Sequence, residues 1–326
     1  MSSTMYRVAK PEGVGNIVVE DAPVPEISDS DVLIKEEISL ISRGSEIWRR
    51  YVHEEAIDHQ IMGYSMVGSI VDVGRQVDGF SPGQRVAALA PHAEYVAVET
   101  LESNHPPAVV VLPDEVASES ATFWPLATSS IMWMDALEAT AEQSVAIFGQ
   151  GLVGSGCLQA LKADVACRVI AVDGIRDRCE LALKLDADDA VDVSEGDPVE
   201  AVLRLTGGKG VDIAVYAVGG RSGPQAFEQA LDVVRPGGLI QVIGLYEDGP
   251  LPLNSRSIQG KRLIGGFPHG SLRHEASDKA IRYLAEGKFR VSDMITHRFP
   301  FQRAPEAYDL LYNRLQEAMG VLLTWR

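Results

Sequence analysis

Ser144-Val145-Ala146-Ile147-Phe148-Gly149-Gln150-Gly151-Leu152-Val153-Gly154 opens the stretch whose reading decides the fold. Its first five residues are a short apolar run, the pattern of a strand buried on both faces. A G-x-G-x-x-G follows, then a helical pattern through Val153, Cys157, Leu158 and Leu161. A second apolar run, Val169-Ile170-Ala171-Val172, closes on Asp173. Alone, the glycine pattern carries little, because a chain with 30 glycines in 326 residues produces chance matches. Between two strand-like runs, with an acid about 20 residues on, it reads as a dinucleotide-binding corner. Gly149 permits the tight turn, Gly151 admits the pyrophosphate to the backbone, and Gly154 lets helix and strand pack closely. Leu152 and Val153 begin the helix whose unpaired N–H groups and dipole favour phosphate. A carboxylate at Asp173 accepts hydrogen bonds from ribose hydroxyls and repels a 2′-phosphate, which favours NAD(H) over NADP(H). Arg176 and Arg178 are close enough to soften that preference, and Arg178 counts among the cofactor-binding candidates.

Composition narrows the function classes. Hydrophobic residues make up 46% and charged residues 23%, an ordinary globular balance. A net charge of −17 and a pI near 4.8 argue against nucleic acid and anionic membrane surfaces, which select basic patches. The N-terminus shows no basic-plus-apolar leader, and no apolar run approaches the roughly 18 residues of a membrane span. The expected location is cytoplasmic. Cys157, Cys167 and Cys179 have no metal-ligand spacing and read as small buried thiols in a reducing compartment.

The length suggests about two domains. Residues 1–125 read as β-rich, without a long helical pattern. Ile17–Glu20 and Val32–Lys35 are strand-like, and repeated glycines between short β-branched runs over Gly63–Gly74 suit a small, tightly turned barrel. Pro82-Gly83-Gln84-Arg85-Val86 and Ala93–Val98 continue the pattern. From Ala117 the character changes. Helical spacing over 117–140 precedes alternating strands and helices, with strands at Val145–Phe148, Val169–Val172, Ala190–Val193, Val211–Ala217 and Leu239–Gly244. That alternation predicts an α/β fold with a parallel, doubly wound sheet over residues 126–266. Residues 267–326 carry two helical stretches, near 275–287 and 304–316. They end in an apolar run, Gly320–Leu323, expected to return to the first domain.

Read together, these motifs resemble the medium-chain dehydrogenase/reductase superfamily. Gly63-x₄-Gly68-x₅-Gly74, Pro82–Val86, Ala93-Glu94-Tyr95-Val96, the glycine corner with Asp173, Ala217-Val218-Gly219 and Pro236-Gly237-Gly238 leading to Gly244 match in order and spacing. The resemblance implies a GroES-like catalytic domain followed by a Rossmann domain. It also implies nicotinamide contacts at Thr128, Ala217, Val218, Gly244, Leu245, Gly266 and Phe267. Zinc-dependent members carry a cysteine before a Gly-Thr-Asp-like element; here Arg43 precedes Gly44-Ser45-Glu46. Their Gly-His-Glu reads Gly63-Tyr64-Ser65, and a third ligand position falls at or beside Trp124. There is no cysteine before Cys157 to build a structural zinc lobe. Zinc needs Cys, His or carboxylate donors, so no family-type zinc is expected. Ile41–Glu46, Gly63–Gly68 and the closing run from Ile295 to Trp325 look most like the zinc-lacking branch that includes bacteriochlorophyllide-type dehydrogenases. Such enzymes interconvert a secondary alcohol and a ketone.

Without a metal, a side chain or an ordered water must move the hydroxyl proton. Tyr64 stands at a former ligand position. Its ordinary pKa near 10 requires a cation such as Arg43 or oxidised nicotinamide before it acts as a base, whereas donation to a carbonyl does not. Ser45 is the candidate for binding the substrate oxygen, and His92 is a further acid/base candidate. Glu46 reads as a buried structural carboxylate. Arg43, Trp48 and Trp124 are candidates for contacting a small-molecule substrate, an aromatic lining favouring a ring-containing one. A homo-oligomer is expected, since members of the superfamily are commonly dimers or tetramers. Two other functions fit the sequence: a quinone- or enoyl-type C=C reductase of the same superfamily, and a non-catalytic NAD-binding regulator.

Overall fold

The computed structural model describes residues 4–100, 107–245, 249–266 and 272–325. The chain divides into two compact units. One comprises Met1–Pro125, Arg273–Gly287 and Val291–Arg326; the other comprises Leu126–Leu272 and Lys288–Arg290.

In the first unit, β1 (Thr4–Ala9) and β2 (Val18–Pro23) form an antiparallel pair. The main sheet is built around β3 (Asp31–Ile41), which pairs with β4 (Met66–Val73); β5 (Arg85–Ala88) follows on β4. Beyond these, β6 (Tyr95–Glu99) pairs with β3 and β7 (Val109–Val111) with β5. Two register shifts, between Leu33 and Ile34 and between Glu36 and Ile38, bend β3 against β4. Gly68 shows why the glycine-rich run is needed. A Cβ there would sit 2.2 Å from the Lys35 carbonyl oxygen on the neighbouring strand.

The second unit is a six-stranded parallel sheet. Its strands are β8 (Ser144–Phe148), β9 (Arg168–Asp173), β10 (Asp189–Asp192), β11 (Val211–Tyr216), β12 (Val234–Val242) and β13 (Arg262–Gly265). They run in the order β10-β9-β8-β11-β12-β13, the doubly wound arrangement with its switch point beside β8. Val145, Ala146, Ile147 and Phe148 are buried, as the apolar run requires for a central strand.

The chain then returns to the first sheet: β14 (Ile295–Pro300) runs parallel to β15 (Gly320–Thr324), and β15 pairs antiparallel with β3. The apolar Gly320–Leu323 run thus joins the N-terminal sheet. A helical element departs from the sequence reading, which gave residues 1–125 no long helical pattern. Arg43–Tyr51 winds as a π-helix, with Val52 N–H donating to the Ile47 carbonyl. Its signal is local: Ile47 and Tyr51, four apart, bury one face in a cluster with Ile41, Tyr308, Leu323 and Trp325.

β3 also buries a carboxyl. Glu36 is 2% exposed, and its Oε2 accepts from the Ala93 N–H at 3.3 Å. Burial drives its pKa well above the ordinary carboxylate value, while hydrogen bonds from Ser39 and Ala93 offset this in part. A carboxyl whose pKa is raised by folding contributes stability below its unfolded pKa and loses it as pH rises toward the folded value. Glu36→Gln removes that loss. It is expected to raise Tm by a few degrees near pH 7 and to lose the advantage near pH 4, measured by thermal denaturation at both pH values.

Candidate functional site

The glycine corner lies in the second unit. β8 ends at Phe148 and the backbone turns through Gly149, whose φ of +91° a side chain rarely adopts. A Cβ at Gly149 would also lie 2.9 Å from the Ala217 carbonyl oxygen, and one at Gly154 only 1.8 Å from the Gly149 oxygen. The glycines at these two positions are therefore demanded by the turn and by the approach of the helix Leu152–Asp164. Gly151, the N-cap of that helix, is different. Its φ of −76° is ordinary, and a Cβ there would meet only Arg178 Nη1, at 3.9 Å. No close contact requires glycine at 151, and the open backbone there is what a dinucleotide corner needs.

Asp173 ends β9 beside this turn. Its Oδ2 accepts from Gln150 N–H at 2.6 Å and its Oδ1 from Ile175 N–H at 2.9 Å, so the carboxylate is fixed against the corner. Arg178 faces it. Burial lowers the Arg178 pKa and the Asp173 charge opposes that shift. Arg176 is engaged elsewhere, in an ion pair with Glu195 and at 3.8 Å from Asp192. Ala217 N–H donates to the Phe148 carbonyl at 2.9 Å, and Val218 lies against Gly149. These residues fit a dinucleotide: a helix N-terminus, an open backbone at Gly151 and an oriented acid for ribose hydroxyls.

Other cofactor candidates are placed less directly. Gly244 and Gly266 are glycines for packing reasons, since a Cβ at 244 would lie 2.6 Å from the Val218 oxygen and one at 266 2.9 Å from the Ile243 side chain. Thr128 is buried on the helix Trp124–Asp135 and Leu245 is exposed. Phe267 lies outside the described residues. Burial pushes the Cys157 and Cys179 thiols up to about 12, leaving them inert.

A second polar group occupies the first unit. The Tyr64 hydroxyl donates to Ser42 Oγ at 2.6 Å. Ser42 is the N-cap of the π-helix, yet its hydroxyl makes no capping bond. Its backbone N–H donates instead to Glu46 Oε1 at 2.8 Å. Glu46 is fully buried, and its Oε2 meets His92 Nε2 at 3.0 Å and accepts from the Tyr308 hydroxyl. Burial alone would raise the Glu46 pKa. The charge and hydrogen bond of His92, with Arg50 and Tyr308, outweigh it and hold the carboxyl below its ordinary value. Burial, and then the Glu46 charge, push the Tyr308 phenol well up.

His92 differs from its sequence reading. Its ring has no exposed surface, and its Nδ1 contacts Ser39 Oγ at 2.8 Å while Nε2 contacts Glu46, so both nitrogens are engaged in the interior. That arrangement is structural and leaves no ring nitrogen open to exchange protons with a substrate. Trp124 is likewise interior, 1% exposed, with its indole N–H donating to Ser277 Oγ at 2.9 Å. Arg43 donates through Nε to the Leu311 carbonyl at 3.1 Å and lies over the Trp48 ring at 5.8 Å, so these two candidates meet. Ser45 is half-buried on the first turn of the same helix. Sequence reasoning did not single out Ser42 or Tyr308. A serine with a glutamate four residues on, a capping-box spacing lengthened by one, was the available signal.

Metal ligation does not fit these residues. Arg43, Tyr64 and Trp124 offer no thiolate, imidazole or carboxylate, and the Glu46–His92 pair spends its atoms on Ser42, Tyr308 and Ser39. Among the described residues, no group of three or more His, Cys, Asp or Glu is placed to hold a metal ion. Nor is any described helix long and apolar enough to cross a membrane.

Comparison with known proteins follows the same lines. The family model described as zinc-binding dehydrogenase matches residues 153–286, which exclude Arg43, Tyr64 and Trp124. An alcohol dehydrogenase of Cupriavidus necator is 24% identical, over 95% of this chain and 96% of its own length. A sorbitol dehydrogenase of Bacillus subtilis is 26% identical, over 94% of each. Among solved structures, an alcohol dehydrogenase from Thermus sp. ATN1 superposes with a TM-score of 0.83 at 23% identity, over 99% of this chain and 100% of that one. The fold is thus α/β with a Rossmann-type parallel sheet. These sequence matches are all to dehydrogenases, consistent with the resemblance to the medium-chain dehydrogenase/reductase superfamily, while the structural match shows the fold.

Gly151→Val tests the corner. The variant is expected to keep Tm within a few degrees, because the Cβ position is open, and to lose NADH affinity by about 100-fold or more, read by calorimetric titration.

Proposed function

We propose that this protein is a zinc-independent, NAD(H)-dependent oxidoreductase that interconverts a secondary alcohol and a ketone. The observation that carries the reading is the pairing of two features. Asp173 is clamped beside a glycine corner left open at Gly151. A tyrosine hydroxyl paired with a serine stands where the resemblance expects a metal ligand. A bound nicotinamide supplies or accepts the hydride. In the reduction direction Tyr64 donates a proton to the carbonyl oxygen, and Ser45 hydrogen-bonds that oxygen. In the oxidation direction the Tyr64 phenolate, stabilised by the oxidised nicotinamide, receives the hydroxyl proton and returns to the phenol. Asp173 favours NAD(H) because a 2′-phosphate would meet its charge. Of the two arginines that could offset it, Arg176 is paired with Glu195, and Arg178 faces Asp173 and softens the preference. The substrate is a small molecule, and the working form is a homo-oligomer in the cytoplasm.

Tyr64→Phe is expected to lower kcat about 100-fold for NADH-dependent ketone reduction, followed at 340 nm across a panel of alkyl, alicyclic and aryl ketones. The NADH dissociation constant is expected to stay the same. Unchanged turnover removes Tyr64 from the mechanism. Clearly tighter binding of NADPH than of NADH would favour a C=C reductase instead.

A further inference from the structure

We infer that Glu46 is a positioning residue for the Tyr64–Ser42 hydroxyl pair, holding it from both sides. The inference rests on the proposed role of Tyr64. One carboxylate oxygen fixes Ser42 directly: Oε1 accepts the Ser42 N–H at 2.8 Å, and the Glu46 N–H donates to the Ser42 carbonyl at 2.8 Å. That reciprocal pair sets the Ser42 backbone and frees its hydroxyl from capping, so the hydroxyl serves Tyr64. The other oxygen fixes the turn before Tyr64 through His92. Oε2 contacts His92 Nε2 at 3.0 Å, and the His92 N–H donates to the Met62 carbonyl at 2.7 Å. Gly63 packs against the imidazole so closely that a Cβ there would lie 2.8 Å from its ring atoms. Gly63 also carries a φ of +106°, so the residue preceding Tyr64 has no alternative placement that retains a side chain.

Both partners of the Tyr64–Ser42 contact therefore trace to one buried carboxylate. A purely structural carboxylate would need partners enough to offset its desolvation, and His92 with Tyr308 would serve. The Ser42 N–H adds a donor to the buried carboxylate and at the same time fixes the N-cap residue whose hydroxyl meets Tyr64. The charged and titratable groups around Glu46 are His92, Arg50 and Tyr308. Together they hold its carboxyl below the ordinary value against the effect of burial.

The test uses full-length protein in two readouts. In NADH-dependent ketone reduction, Glu46→Gln keeps an acceptor for the Ser42 N–H but loses the charge that holds His92. Ser42→Ala removes only the hydroxyl. Each is expected to lower kcat about tenfold, with KM and NADH affinity unchanged, and to move the pH profile of kcat. Ser42→Thr is expected to restore the profile. The second readout needs no turnover. In protein labelled with 3-fluorotyrosine, the Tyr64 fluorine resonance, assigned by its loss in Tyr64→Phe, is expected to shift in both Glu46→Gln and Ser42→Ala. Wild-type kcat and an unmoved Tyr64 resonance in both variants would overturn the inference. If wild-type protein reduces no ketone, the proposed function fails, while the fluorine spectra still decide whether Glu46 positions Tyr64.

Discussion

The ionised carboxylate of Glu46, shut away from water, is the constraint on which the first unit depends. Removing a charge from solvent costs several kcal/mol unless partners replace the hydration shell. The chain meets that demand with two neighbours four residues away, the Ser42 backbone and the charge of Arg50, and two groups distant in sequence, His92 and Tyr308. Each partner is itself tied down. Ser39 contacts the other nitrogen of His92 and accepts from the Trp325 indole at 3.1 Å, which links the end of the chain to β3. Phe301 stacks on Trp325 at 4.7 Å and Tyr51 on Tyr308 at 6.3 Å, sealing the charge under aromatic rings. The segment that carries Glu46, Arg43–Tyr51, is a π-helix, a rare winding that recurs at functional sites.

The second unit depends on contact rather than charge. Gly154 lies so near the Gly149 carbonyl that no side chain fits, and this closeness brings the helix N-terminus to the end of β8. Gly151 is the informative exception, a glycine that the packing does not require. Asp173 is then oriented by two backbone N–H groups, those of Gln150 and Ile175. A rigid acid at that point discriminates between cofactors by charge more sharply than a mobile one, since it cannot swing away from a 2′-phosphate.

Most of the α/β sheet was legible because each strand is a continuous apolar run set off by glycines and by an acid, a pattern with few other solutions. β8, β9 and β11 fall where the runs at Val145, Val169 and Val211 put them. The first unit was less legible. Its π-helix follows a winding that the 3.6-residue period does not describe, and β7 is only three residues long. Glu46 was readable as buried because a lone acid beside apolar residues needs a partner. Which partner it takes is set by contacts 46 and 262 residues apart, and a linear pattern holds no such information. His92 failed as an acid/base candidate for the same reason: exposure is a property of the packed sheet.

In both units the polar groups are fixed before any ligand arrives. On the proposed reading, such preorganisation would lower the reorganisation needed for a phenol to act as the acid without a Lewis acid. The central claim is that hydroxyl groups handle the proton where zinc relatives use metal. The direct measurement is steady-state ketone reduction by NADH on enzyme dialysed against a strong chelator, with residual zinc quantified in the same sample. We predict full turnover at zinc contents far below one per chain and no gain on adding zinc. Loss of turnover on dialysis, restored by stoichiometric zinc, would contradict it.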